Sequence, residues 1–131
     1  MGGNDARQYT NLFESIQSGE NLTDLLAKPL TDFRTAYRAM LGTIKTTNLR
    51  VHVCTIYTAV PFTDPVWRQY APLAIGQFNN VIIEEANTYT VPVLRLKKIC
   101  VEESDFAEIS PIEPSSQGGG QKIVDYILSK L

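Results

Sequence analysis

Two β-branched runs set apart by a helical pattern constrain this chain more than any other feature. Leu49 to Tyr57 reads Leu-Arg-Val-His-Val-Cys-Thr-Ile-Tyr, and Val91 to Leu96 reads Val-Pro-Val-Leu-Arg-Leu. Both are short, rich in strand-forming residues and suited to burial. Between them, Asp64 followed by Pro65 gives a helix start: an N-cap ahead of a residue already fixed at helical φ. That helix is expected to run through Ile75, Phe78, Ile82 and Ala86, bending near Pro72. Strand, helix, strand in this order implies parallel strands joined by a right-handed crossover.

Further helical patterns flank the unit. Leu30, Phe33, Tyr37, Met40, Leu41 and Ile44 recur at spacings of three and four and form one apolar stripe. Pro29, without an amide hydrogen, is expected to separate that helix from short turns at Leu22, Leu25 and Leu26 capped by Asn21. Leu12, Phe13 and Ile16 suggest another short face. Residues 97–116 carry no period and read as a long loop, after which Gly118 to Gly120 lead into a helix marked by Ile123, Val124, Ile127, Leu128 and Leu131. The order predicts an α/β fold. Two parallel strands do not make a stable sheet alone, so further strands are expected from another copy or from a segment upstream of Met1. The open edge at Leu49 to Tyr57 then predicts self-association into a homo-oligomer.

The 131 residues fit a single domain, 1–131, and a net charge of −2 excludes a basic field for nucleic acid or an anionic membrane. One histidine and two cysteines are too few for a zinc site, so no metal is expected, and no cofactor motif stands out. With no membrane-length apolar run and no leader pattern, the default compartment is the cytoplasm. His52, between Val51 and Val53, reads as a packed strand histidine, Cys54 as a core thiol, and Cys100 is left open. Glu102, Glu103, Asp105 and Glu108 read as a solvated loop, with Asp105 and Phe106 also placed to shape a substrate rim. The Gly118 to Gly120 run reads as close packing of the last helix rather than a phosphate cradle, since no Lys-Ser/Thr pair follows.

Gly2-Gly3-Asn4-Asp5, the strand from Leu49, Phe78-Asn79-Asn80 with the run to Ile83, Val91 to Leu96, and Ser110-Pro-Ile-Glu-Pro before the glycines carry a resemblance to a family. Together they resemble the C-terminal portion of an SGNH (GDSL-type) hydrolase, matching its Gly-x-Asn-Asp block, its penultimate helix and its last strand. The resemblance implies a three-layer α/β/α flavodoxin-like parallel sheet, N-terminally truncated, and hydrolysis of a small-molecule ester or acyl substrate once completed. It places Asn4 as oxyanion donor, Ser110 at the family's Asp position and Glu113 at its His position, with Gly3 toward the substrate; Phe62, with Trp67, reads instead as an apolar rim from its place in the loop that leaves the C-terminal end of the first strand, the edge where ligands bind in doubly wound sheets. The Gly-Asp-Ser segment that would supply the nucleophile has no counterpart, and a carboxylate at Glu113 is a weak base for a serine hydroxyl. Alone, the chain is therefore expected to be inactive. The alternative is a non-catalytic α/β binding or self-assembly module.

Overall fold

The computed structural model describes residues 15–16, 20–110 and 112–131. Helix α1 spans Leu22–Lys45, with the Asn21 side chain accepting from the Thr23 amide at 2.8 Å and Asp24 and Lys45 placed favourably for the helix dipole. The expected break at Pro29 does not occur. A proline inside a helix costs about 3 kcal/mol, but Leu26, Pro29, Phe33, Tyr37 and Leu41 are all buried on one stripe. At about 1.5–3 kcal/mol for each large apolar side chain, the stripe outweighs the missing amide. Helix α2 spans Pro65–Thr88, capped by the Asp64 carboxylate on the Val66 and Trp67 amides at 2.8 and 3.0 Å, and it too contains its proline, Pro72.

These helices run parallel, because contacts advance along both together: Phe33 meets Phe78 edge-on at 5.1 Å, and Arg38 further on meets Glu85. The strand between them therefore returns against their direction. Strand β1, Val53–Cys54, pairs in parallel with β2, Val93–Leu94, in the register Val53 to Val93 and Cys54 to Leu94.

The three-layer flavodoxin-like sheet is not formed. Helices dominate the described residues, and the only sheet among them has two strands of two residues each. The ladder is cut short by chemistry at each end. Pro92 accepts from the Val53 amide at 3.0 Å, yet has no N–H to carry the pairing back toward Val51. Past Thr55, whose amide bonds the Leu94 carbonyl at 2.9 Å, Ile56 turns to Asn79 and Leu96 enters a 3₁₀ turn over Leu96–Lys98.

The main core gathers α1, α2 and β1 around Phe33, Tyr37, Leu41, Phe78, Ile82 and Ala86. A second, smaller cluster of Val60, Cys100 and Phe106 takes in Tyr57, Phe62, Ile112 and Ile123. Helix α3, Gly119–Leu128, brings Ile123 to that cluster, and its Tyr126 hydroxyl accepts from the Arg95 amide at 3.3 Å just beyond β2. Among the described residues, no helix is long and apolar enough to cross a membrane.

Candidate functional site

The segment after β2, read from sequence as a plain loop, is tied down at several points. Besides the turn at Leu96, it holds a second 3₁₀ turn, Glu103–Asp105, and an antiparallel bridge between Phe106 and Pro114. Asp105 is the exception to the expectation of a solvated acidic cluster. It is 1% exposed, accepts from the Val101 and Glu102 amides at 3.0 Å each, and binds the Lys122 ammonium of α3 at 2.7 Å. The Lys122 hydrogen bond, aided by the two amides, holds its carboxyl below the usual range.

The glycine run packs against this carboxylate's backbone, as its sequence reading expected. A methyl group at Gly119 would come within 2.3 Å of the Asp105 carbonyl oxygen, and one at Gly118 within 2.5 Å of the Ser104 carbonyl. Ser115 completes the corner: its hydroxyl donates to the Ser104 carbonyl at 2.9 Å and accepts from the Gly118 and Gly119 amides at 3.1 and 3.3 Å. The helix start is thus filled by the protein's own oxygen.

Phe62, Ser110 and Glu113 all reach this region. Phe62 packs on the smaller cluster and lies 5.4 Å from the Trp67 ring. Ser110 and Glu113 face each other through backbone, the Glu113 amide donating to the Ser110 carbonyl at 2.8 Å, while the Glu113 carbonyl accepts from Ala107. The turn is anchored to the strand side by the Tyr57 hydroxyl, which donates to the Ile112 carbonyl at 2.6 Å. Burial, with Cys100 and Glu113 nearby, pushes the Tyr57 hydroxyl up in pKa. The Glu113 side chain itself is exposed, and no hydrogen bond among the described residues joins its carboxylate or the His52 imidazole to a hydroxyl or thiol. Gly3 and Asn4 lie outside the described residues.

Cys54 is exposed rather than a core thiol, and Cys100 is fully buried. The reason is the pleat: Val53 and Thr55 face inward and are buried, so the residue between them is turned outward. The backbone alternates as well. Val53 and Thr55 donate to β2, which leaves the amide and carbonyl of Cys54 directed away from β2, along the outer edge of β1.

Two buried polar residues are given no role of their own by the sequence reading, in which Asn79 belongs only to the helical run Phe78-Asn79-Asn80. Asn79, 0% exposed, accepts from the Ile56 amide at 2.6 Å and donates to the Ile56 carbonyl at 2.8 Å. Glu85, 1% exposed, takes Arg38 Nε at 2.6 Å and Arg34 Nη1 at 2.5 Å. Its carboxyl is held below the ordinary range by the hydrogen bonds from Arg38 and then Arg34. The available signal was position: each stands where the buried face of α2 calls for an apolar side chain. Compared with family models, curated proteins and solved structures, the chain matches none.

Proposed function

We propose that this chain is a non-catalytic assembly module, which adds an extended strand from another chain along the outer edge of β1. The observation that carries the reading is the edge itself. β1 is an edge strand with a neighbour on one side only, and the backbone of Cys54 faces outward with no bond from β2. Strand addition satisfies those groups, as it does in peptide recognition by sheet edges generally.

The corner around Asp105 supports the same reading from the other side. Its polar groups are spent on one another: Ser115 on two glycine amides, Asp105 on Lys122, Tyr57 on a carbonyl. An ester hydrolase needs a nucleophile within hydrogen-bond reach of a base, and Glu113 brings only backbone to Ser110.

The test pairs two measurements on the whole chain. Light scattering across a concentration series should give a mass above the 14.6 kDa of one chain, and a fluorophosphonate probe should label no serine. A single-chain mass at every concentration together with one stoichiometrically labelled serine would overturn the module in favour of an acyl-transfer enzyme.

A further inference from the structure

We infer that the gap where β1 and β2 part at Pro92 binds a small free α-amino acid with an aliphatic side chain, of about the size of valine. The gap lies on the β2 side of β1 and takes no part in the outer edge, so it stands independently of the assembly reading. It encloses about 190 Å3, with Ile44, Lys45, Leu49, Val51, Thr90 and Val91 among its walls.

The backbone accounts for the opening. Val53 and Thr55 donate to the Pro92 and Leu94 carbonyls, and the same alternation turns the amide and carbonyl of Val51 toward β2. Pro92 has no N–H to offer that carbonyl, and Thr90, at φ 55°, turns the chain aside before its carbonyl can take the amide. Neither backbone group of Val51 has a hydrogen-bond partner among the described residues. In an antiparallel ladder, one residue's N–H and C=O are met by the C=O and N–H of a single opposing residue. A free α-amino acid carries the same pair at its two ends, with the carboxylate accepting from Val51 and the ammonium donating to it.

The charges around the gap suit both ends of that zwitterion. Lys45 is exposed, forms no ion pair with a described residue, and supplies a cation for the carboxylate. Helix α1 ends at Lys45 and α2 at Thr88, so the negative poles of two parallel helices close on the same gap and favour the ammonium. Thr47 is spent on the Ile44 carbonyl at 2.7 Å, whereas the Thr90 hydroxyl makes no hydrogen bond to a described residue and is open to the ligand. A β-branched residue held in the left-handed region at a cavity wall is strain of the kind that gathers at ligand clamps, and glycine, which would relieve it, has no hydroxyl. Ile44, Leu49 and Val91 offer the side chain an apolar wall. A cavity of about 150 Å3 holds benzene, about 25 Å3 for each non-hydrogen atom, so this gap takes about eight, the number in valine.

Titration of the whole chain with L-valine, followed by amide NMR shifts and by calorimetry, tests the assignment. Shifts should appear at Val51, Thr90 and Val91 and saturate at millimolar concentration or below. Isovalerate, which lacks the ammonium, and isobutylamine, which lacks the carboxylate, should each bind about tenfold or more weakly, the loss expected for one charge-assisted hydrogen bond. Lys45→Met should weaken valine to the same degree, leave isobutylamine no weaker, and leave the ligand-free thermal midpoint unchanged. Thr90→Gly should weaken valine while raising the ligand-free midpoint, a pairing that a purely structural threonine would not give. No saturating shift at these amides would overturn the inference. So would isovalerate or isobutylamine bound as tightly as valine, or a Lys45→Met chain that binds valine undiminished.

Discussion

Asn79 closes a ring of two hydrogen bonds with the backbone of Ile56 and does so at zero exposure, so its removal strands two buried groups at once. Each buried orphan costs about 1–3 kcal/mol, and Asn79→Ala should lose about 3 kcal/mol in urea unfolding. Asn79→Leu, which fills the space, should recover little, because the deficit is polar. Thr90 is the opposite case. It sits at φ 55°, in the left-handed region, one residue past the α2 cap. The Val91 amide reaches back to the Ala86 carbonyl at 2.8 Å and the Thr90 amide to Asn87 at 3.1 Å, the closing pattern that glycine usually serves. A β-branched residue there bears about 1–2 kcal/mol of strain, partly offset by the greater freedom glycine has when unfolded. Thr90→Gly should therefore raise stability by about 0.5–1 kcal/mol, read as an upward shift in thermal midpoint. An unchanged or lower midpoint would count against the strain.

At the scale of elements, α1 and α2 share a design: 24 residues each, with a proline seven positions after the first helical residue. The two prolines are not equivalent, since Pro29 is buried in the apolar stripe and Pro72 is only partly buried. Pro72→Ala restores a backbone hydrogen bond at little packing cost and should stabilise by about 1 kcal/mol, part of the helix-interior penalty; Pro29→Ala also empties a buried site and should give no gain. Equal gains in urea midpoint would show that burial of Pro29 contributes nothing. The same prolines explain what sequence made legible. The Asp64-Pro65 start and the stripe from Leu30 to Ile44 announce their helices by local chemistry. Joining Leu22 to Lys45 across Pro29 depends instead on a partner helix some fifty residues away, which no local pattern contains. The β-branched runs lie where the strands form but reach past their ends, because such residues mark where a strand is favourable and not where Pro92 and Asn79 end its ladder. Of the candidate site, the packing role of the glycines was readable from their run, whereas burial of Asp105 depends on Lys122 from a later helix.

Across the whole molecule, two buried carboxylates hold together parts that are distant in sequence. Glu85 fastens α2 to α1 through Arg34 and Arg38, and Asp105 fastens the loop after β2 to α3 through Lys122. Both carboxyls are held below their ordinary pKa, Glu85 mainly by Arg38 and Asp105 mainly by Lys122. A group with a depressed folded-state value binds its proton more readily when unfolded. Its contribution is therefore fully present above the unfolded carboxyl value, about 4, and is lost as pH falls through the depressed one. The thermal midpoint should be flat from neutral pH down to about 5, by the same linkage, and then drop steeply. The arginines of the α1–α2 pair are 34% and 57% exposed, so water replaces part of what they lose. Glu85→Gln should for this reason cost about 2 kcal/mol, less than the loss typical of a fully desolvated pair. In that variant the acid limb of the midpoint curve should also flatten, with Asp105→Asn flattening it independently. The double variant should then show additive losses, since the two carboxylates share no ion-pair partner. A variant pair that loses stability at pH 7 and keeps the full acid limb would place the titrating groups elsewhere in the chain.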